Sequence, residues 1–361
     1  MRRFAFVLHP LRFDDFARKF KFTRYLPEHL VENAFKCVNP LVTGHVTGVR
    51  SEATGEELEG WLIGLPMTPR VIMESPYPFV LKKLEKAGHL AESLGAEILG
   101  LGAFTKIAGD RGLSLANRLN IPVTTGNSYT TATAIEGAMS AAERIGIDPA
   151  RATVTVIGAT GSIGRAASMR LAGQVGRLII TARRPEPLRQ LADWLRQMGQ
   201  DQVEIGESLP AAVGEAGVVI AVASAQEAIV EPKHLRPGSV FCDVARPRTL
   251  SGVVQKERPD VLVIDGGVIQ VPGADADMGL DFGFPPKMVE ACMAETMILA
   301  LEGRLEPFTL GPEISPDKVG EIHRLGARHG FRLAGLRRFE RAIADSEVQA
   351  IRRLATGSAP V

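Results

Sequence analysis

Residues 153–164 read TVTVIGATGSIG, a β-branched run that leads directly into three glycines spaced three apart. Residues 165–174 continue with helical spacing, and a second apolar run follows at 178–180. A strand, a glycine turn, a helix and a second strand within about 30 residues form a βαβ unit. Glycines let a diphosphate approach the backbone, and the amino terminus of the helix offers it N–H groups. The stretch therefore predicts a dinucleotide-binding loop.

Four more apolar runs follow, at 203–205, 218–223, 240–244 and 261–264. Continuous Val and Ile runs, as opposed to strict alternation, are typical of parallel strands that are buried on both faces. With the first two runs they make six strands, the number in a complete doubly wound sheet. The predicted fold class is α/β, with a Rossmann domain at 151–285.

A smaller α/β domain is expected at 1–150, and C-terminal helices are expected at 286–361. The first range contains a strand at 3–7, a hairpin of 45–51 with 58–65, further strands at 97–101 and 122–125, and a helix at 128–145. Beyond a Gly/Pro/Asp loop, a helix from about 287 to 302 places Cys292 several residues inside it. The arginine-rich stretch 336–354 is helix-like, either as a solvated face or as a contact surface for an acidic partner.

The end of the second strand indicates which dinucleotide binds. NAD sites usually carry an acid there for the ribose 2′-hydroxyl, whereas this chain has Thr181-Ala-Arg183-Arg184 and no acid until Glu186. Arginines pair with a 2′-phosphate, so NADPH is the predicted cofactor. The candidate cofactor-binding residues lie in the glycine loop, at this strand end and near the carboxyl ends of later strands: Gly158, Thr160, Gly161, Ser162, Ile163, Thr181, Arg183, Arg184, Ser224, Asp265 and Gly267.

Composition and charge exclude several classes of protein. Lys plus Arg number 42 against 41 Asp plus Glu, a balance that argues against a dedicated nucleic-acid binder. The three cysteines show no metal-ligand spacing, so no metal site is expected, and they suit a reducing compartment. No apolar run reaches the roughly 18 residues that a membrane span needs. We therefore expect a cytoplasmic protein with no transmembrane segment.

The sequence resembles the aldehyde-forming long-chain acyl-(acyl-carrier-protein) reductases, which supply fatty aldehydes to alkane biosynthesis. The likeness covers most of the chain, from about Phe4 to His329. It depends on eight short stretches that occur in one order: Ala53-Thr-Gly55, Leu101-Gly-Ala-Phe-Thr105, Thr124-Thr-Gly-Asn127, Gly158–Gly164, Thr181-Ala-Arg183, Asp265-Gly-Gly267, Ala291-Cys292-Met-Ala-Glu295 and Arg328-His-Gly-Phe331.

The resemblance implies an NADPH-dependent reduction of a fatty acyl thioester to a fatty aldehyde. In that family the cysteine of the A-C-x-A-E helix is the nucleophile, and Cys292 matches it. On composition alone, a helical cysteine among Met and Ala is more often a buried small hydrophobe. The implied partners are acyl carrier protein or CoA as acyl donor, and a downstream enzyme that uses the aldehyde.

An acyl transfer of this kind develops oxyanion charge, which converging hydrogen-bond donors stabilise. The candidate donors are Lys106, Asn127, the Thr125 hydroxyl and backbone N–H groups, and the sequence does not rank them. Residues 125–127 also suit a plain strand-to-helix connection with a polar N-cap. Two other functions remain open: an NADP-dependent dehydrogenase of the shikimate-dehydrogenase type acting on a small alcohol, and a non-catalytic NADPH-sensing module.

Overall fold

The computed structural model describes residues 1–11, 13–19, 21–223, 228–245, 248–339 and 341–356. The chain folds into two compact units. The first unit contains residues 1–127, 270–312 and 324–332, and the second contains residues 128–269, 313–323 and 333–361. Each unit is built around its own sheet, which is mixed in the first unit and wholly parallel in the second.

The first unit opens with an alternation of strands and helices. In chain order they are β1 (Arg2–Leu8), α1 (Asp14–Lys19), α2 (Glu28–Cys37), β2 (Leu41–Arg50), β3 (Glu57–Gly64), α3 (Pro69–Glu74), α4 (Tyr77–Ser93), β4 (Leu99–Leu101), α5 (Leu113–Ala116) and β5 (Val123–Thr124). Short 3₁₀ turns occur at Lys21–Tyr25 and Ala103–Lys106.

The five strands form one sheet in the order β2-β3-β1-β4-β5. β2 runs antiparallel to β3, as the predicted hairpin requires, and the other pairs are parallel. One face packs against α4 through an apolar core that includes Val7, Ile63, Leu84 and Leu99. The predicted strands of residues 1–127 are therefore all present in this sheet.

The second unit follows with α6 (Asn127–Arg144), which begins at the last residue of the first unit. Its further elements are β6 (Thr153–Ile157), α7 (Ser162–Leu171), β7 (Arg177–Thr181), α8 (Pro185–Gln197), β8 (Val203–Ile205), α9 (Leu209–Glu215), β9 (Val218–Ala221), β10 (Val240–Asp243), α10 (Val254–Glu257) and β11 (Leu262–Asp265).

The second sheet has the order β11-β10-β9-β6-β7-β8, and all its pairs are parallel. This is the doubly wound order, and its direction reverses between β6 and β9, where ligands bind in such sheets. Strand residues such as Val154, Val156 and Ile220 are wholly buried, because helices cover both faces. The predicted α/β Rossmann fold is confirmed.

The remaining elements complete the chain. They are β12 (Val268–Gln270), β13 (Met288–Glu290), α11 (Ala291–Glu302), α12 (Pro316–His329), β14 (Arg332–Leu333), β15 (Arg337–Arg338), β16 (Arg341–Ala342) and α13 (Asp345–Thr356). α11 packs on β1, β3 and β4, and a Cβ placed on Gly100 of β4 would collide with Thr296 Oγ1. The side chains from Ala291 to Leu301 are buried, so α11 is a core helix of the first unit.

The structure corrects two helix predictions. The helix expected from about residue 287 begins at Ala291, because Lys287 takes a left-handed φ of 66° and residues 288–290 are extended. The stretch 336–354 is not one helix, since the antiparallel pair β15–β16 precedes α13. Phe339 has a positive φ of 49° within the intervening turn, which a helix does not tolerate.

The units also divide the chain differently from the three ranges expected. α6 belongs to the second unit from residue 128 onwards, and α11 belongs to the first unit, not to a separate C-terminal part. The assignment of the N-terminal range to the substrate side stays a prediction. Over the described part of the chain, no helix is both long and apolar enough to cross a membrane.

Candidate functional site

The glycine loop between β6 and α7 has the backbone geometry of a phosphate cradle. Gly158 takes a φ of 89°, and a Cβ there would lie 2.9 Å from the Cα of Ala223. A Cβ on Gly164 would lie 2.8 Å from the carbonyl carbon of Gly158, so only glycine lets the helix pack this closely on the turn. Gly161 is the N-cap and has no side chain to cover the first-turn N–H groups. The loop therefore fits a dinucleotide diphosphate.

The loop is fixed to the end of β7. The amides of Gly158 and Ala159 both donate to the Thr181 carbonyl oxygen, at 2.9 and 3.0 Å. Thr181 is buried, so we infer that it acts through this backbone contact on the loop. Thr160 in the loop and Ser162 and Ile163 in the first turn of α7 are half-buried, and their contacts with a cofactor stay predictions.

Arg183 and Arg184 follow β7 directly and are exposed. Arg184 is the N-cap of α8. Neither guanidinium is hydrogen-bonded to another of the described residues. Glu186, the first acid after the strand, pairs with Arg189 one turn further along the helix. The two cations thus remain available to a phosphate group.

Asp265, Gly267 and Ser224 are the cofactor-binding residues predicted beyond the glycine loop and β7. Asp265 is buried at the end of β11, and its Oδ1 lies 2.9 Å from Arg248 Nη2. Arg248 also stacks on the Phe339 ring, 4.8 Å from its centroid. Gly267 follows with a φ of 83°. Ser224 lies outside the described residues. Cofactor contacts at all three positions stay predictions, and the Asp265 carboxylate already has an intramolecular partner.

Cys292 is the second residue of α11, in the first turn and not several residues inside the helix. It is buried, with 8% of its surface exposed. The positive end of the helix dipole acts within this first turn and favours a thiolate. The later start of the helix brings Cys292 into this first turn, four residues nearer the helix end than the sequence predicted.

The surroundings of Cys292 shift the pKa of its thiol in opposite directions. Burial is the largest cause and raises the pKa of the Cys292 thiol above its ordinary value. The carboxylates of Glu290 and Glu295 act in the same direction. The Lys106 ammonium and a hydrogen bond from the Met293 amide lower the pKa. The resting side chain is therefore a protonated thiol with one cation placed to stabilise its ionised form.

The stretch 124–127 lies against this cysteine. Gly126 takes a φ of 72°, and a Cβ on it would lie 2.5 Å from the Cys292 carbonyl oxygen and closer still to its Cα. Asn127 is the next residue and is buried at the start of α6. The Gly126–Asn127 backbone and the Lys106 charge thus both act at Cys292, although Cys292 is far from both of them in the sequence.

A buried hydrogen-bond network holds this arrangement. The Thr124 hydroxyl donates to Glu295 Oε1 at 2.5 Å and accepts from the Thr309 amide at 3.3 Å. Thr125 donates its amide and its hydroxyl to the Thr309 carbonyl oxygen. Thr124 and Glu295 are wholly buried and tie β5 to α11. Both residues lie within sequence motifs, but their pairing could not be predicted, since no local signal joins positions 171 residues apart.

The chain is similar in sequence to a dehydrogenase family and to a reductase of known name. The sequence model of the family Shikimate / quinate 5-dehydrogenase matches residues 140–266, which form most of the second unit. The long-chain acyl-[acyl-carrier-protein] reductase of Synechococcus elongatus is 30% identical over 335 residues, which are 88% of this chain and 94% of that protein. The chain belongs to the family of this reductase. Membership in the reductase family and the Rossmann fold together place the chain among the NAD(P)-dependent oxidoreductases.

Two further proteins are similar to the chain. The aminotransferase PigE of Serratia sp. is 33% identical over 283 residues, which are 78% of this chain and 33% of PigE. The chain thus spans about a third of the length of that relative. Among solved structures, shikimate 5-dehydrogenase of Listeria monocytogenes is 10% identical with a TM-score of 0.39, covering 90% of this chain and 96% of that one.

Proposed function

We propose that the protein reduces a fatty acyl thioester, presented by acyl carrier protein or CoA, to a fatty aldehyde through an acyl-enzyme on Cys292. The observation that carries this proposal is the environment of Cys292: a first-turn thiol pressed against the Gly126 backbone, with the Lys106 cation acting on it. A merely structural cysteine needs neither a first-turn position nor a cation. The similar reductase from Synechococcus elongatus is named for a long-chain acyl carrier substrate, which supports the same class of donor here.

The first step is acyl transfer to the protein. The Cys292 sulfur attacks the thioester carbonyl carbon, a new carbon–sulfur bond forms, and the bond to the carrier sulfur breaks. The proton lost by Cys292 ends on the departing carrier thiol. Lys106 opposes the effect of burial on the thiol and lowers the free energy needed to ionise it.

The negative charge on the carbonyl oxygen needs donors in the same place. The backbone N–H groups in the first turn of α11 point toward the helix amino terminus, where they lack partners within the helix. The side-chain candidates are Lys106, whose charge acts on Cys292, and the amide of Asn127, which follows the Gly126 backbone that lies against Cys292. We propose that these groups stabilise the oxyanion.

We propose NADPH as the cofactor, held by the loop Gly158–Gly164, by Thr181 and by Arg183 and Arg184. When bound, it supplies the hydride that reduces the acyl group. The balance is one acyl thioester, one hydride and one proton consumed, with one aldehyde and one carrier thiol formed. The Cys292 sulfur would leave as a thiolate when the aldehyde forms and would take up the one proton consumed, which restores the resting thiol. An aldehyde-using enzyme would consume the aldehyde.

Intact-mass spectrometry of the full chain tests the acyl-enzyme. Incubation with a long-chain acyl carrier protein or acyl-CoA, without NADPH, should add one acyl group to the native protein and none to Cys292→Ser. Cys242→Ser, which alters a buried strand residue, and Cys37→Ser, which alters an exposed one, should both still be acylated. Peptide mapping locates the adduct.

Two other outcomes would favour the alternative functions, a small-alcohol dehydrogenase or an NADPH-sensing module. Native reductase activity in Cys292→Ser, with no adduct on the native protein, would overturn the covalent mechanism and favour a dehydrogenase acting on a small alcohol. Tight NADPH binding with neither adduct nor turnover on any acyl donor would favour a sensing module.

A further inference from the structure

His9 lies one residue beyond β1 and is buried, with 5% of its surface exposed. Its Nδ1 lies 2.9 Å from the Pro10 carbonyl oxygen, and its Nε2 lies 3.0 Å from the Phe104 amide nitrogen. A backbone amide only donates, so Nε2 accepts and the ring proton is on Nδ1. Burial lowers the pKa of His9 to about 4, so the imidazole is neutral at physiological pH.

The Phe104 amide, which donates its hydrogen bond to His9, belongs to the 3₁₀ turn Ala103–Lys106. The turn begins with Ala103 at a φ of 43°, a left-handed conformation that is costly for a residue with a side chain. The Thr105 hydroxyl donates to the Gly102 carbonyl oxygen at 2.6 Å and fixes the entry to the turn. The His9 ring also meets the Phe104 ring edge-on, with centroids 5.9 Å apart. A strained turn of this kind persists only where its surroundings hold it.

Lys106 is the last residue of the same turn, two residues after the amide bound by His9. It is half-buried, and its ammonium lowers the pKa of Cys292. The size of such an effect falls with the separation of the charges. The backbone position of the turn therefore decides how strongly the cation acts on the thiol.

We infer that His9 is a positioning residue, which accepts a hydrogen bond from the Phe104 N–H and so holds the Ala103–Lys106 turn in the position from which the Lys106 ammonium acts on Cys292. This inference rests on the proposed role of Cys292 as nucleophile. In this role His9 contacts neither the thiol nor the acyl group. Its effect reaches Cys292 only through Lys106.

Two matched variants of His9 test the hydrogen bond. His9→Phe keeps a ring against Phe104 but removes the acceptor, whereas His9→Gln places an amide oxygen that accepts the same N–H. The readout is the pH midpoint of Cys292 alkylation by iodoacetamide, followed peptide by peptide in the full chain. Lys106→Met should raise the midpoint by about one pH unit, the effect of one nearby charge. His9→Phe should raise it by a similar amount, and His9→Gln should restore it.

The double variant His9→Phe/Lys106→Met should show no rise beyond that of Lys106→Met alone, because both changes remove the same charge effect. An unmoved midpoint in His9→Phe, together with a raised one in Lys106→Met, would overturn the role of His9. A purely structural role would lower the unfolding temperature of His9→Phe without moving the midpoint, and this also counts against the inference.

A second measurement uses the native protein, so it tests the inference even where His9→Phe does not fold. The ¹⁵N shifts of the imidazole in the native protein should show Nε2 unprotonated between pH 6 and 8, and a proton on Nε2 would overturn the inference. Acylation by the thioester is recorded on the same samples. Absence of the adduct on the native protein overturns the proposed function, whereas a native adduct with an unmoved His9→Phe midpoint overturns the positioning role alone.

Discussion

The backbone of Gly126 lies so close to Cys292 that no side chain fits between them: a Cβ on Gly126 would lie 2.5 Å from the Cys292 carbonyl oxygen. Gly126 also takes a φ of 72°, which L side chains rarely adopt. The contact joins the end of β5 to the first turn of α11. It thus couples the position of the thiol to the strand that leads into Asn127.

Gly126→Ala should destabilise the protein more than an equivalent change elsewhere. Gly55 is the matched control, since its φ is 71° but a Cβ there would meet nothing within 4 Å. Gly55→Ala should cost about 1 kcal/mol for the left-handed conformation. Gly126→Ala should cost about 1–3 kcal/mol more, because it also overpacks the contact with Cys292. Urea unfolding measures both, and equal costs would contradict the close contact.

Thr124→Val and Thr125→Val compare two buried hydroxyls at almost constant volume. Thr125→Val removes one hydrogen bond, from the hydroxyl to the Thr309 carbonyl oxygen, and should lower the free energy of unfolding by about 1 kcal/mol. Thr124→Val leaves the buried Glu295 carboxyl without this donor and the Thr309 amide without this acceptor, so it should cost about 2–3 kcal/mol. It should also slow acylation of Cys292. A cost for Thr125→Val equal to that of Thr124→Val would be the contrary result.

Arg183→Ala/Arg184→Ala should weaken NADPH binding and leave NADH binding unchanged, because only NADPH carries the 2′-phosphate. The expected loss is about 1.5–3 kcal/mol for each charge-assisted bond. Titration calorimetry measures both cofactors. Arg189→Ala is the control, since that guanidinium pairs with Glu186 on the same helix. An equal loss for NADH would show that the two arginines act on something other than the 2′-phosphate.

His9 should make the native protein lose stability in mild acid. Burial depresses its pKa from 6.5 in the unfolded chain to about 4, so between these values the unfolded state binds more protons than the folded state. The stabilisation is complete above pH 6.5 and is lost as pH falls through 4, by about 3 kcal/mol in total. The free energy of unfolding should therefore fall more steeply over this window in the native protein than in His9→Gln. Parallel curves would be inconsistent with a buried neutral imidazole.

Local patterns in the sequence were enough to predict the six strands of the second sheet. The β-branched strand at 153–157, its glycine turn and the strand ending at Thr181 are contiguous, and each carries its own signal of propensity and spacing. The right-handed crossovers between parallel strands limit the orders that these six strands can take. The candidate phosphate loop could therefore be predicted in full from about 30 residues.

The start of α11 could not be predicted in this way. Residues 287–290 have helix-forming neighbours, but Lys287 is left-handed and residues 288–290 are extended in the fold. Tertiary contacts override propensity differences of less than about 1 kcal/mol per residue. That shift of four residues moved Cys292 into the first turn and into the field of the helix dipole.

The surroundings of Cys292 were decided by the tertiary structure alone. His9, Lys106, Gly126 and Cys292 come from four separate parts of the chain, and the first unit includes residues 270–312, which follow all six strands of the second sheet in sequence. No spacing rule links residues so distant, because their proximity depends on how α11 packs on β1 and β4. The sequence by itself determined the α/β Rossmann fold, and its family resemblance indicated Cys292 as the candidate nucleophile. Only the packing of α11 decided which charges and hydrogen bonds Cys292 meets, because those groups come from distant parts of the chain.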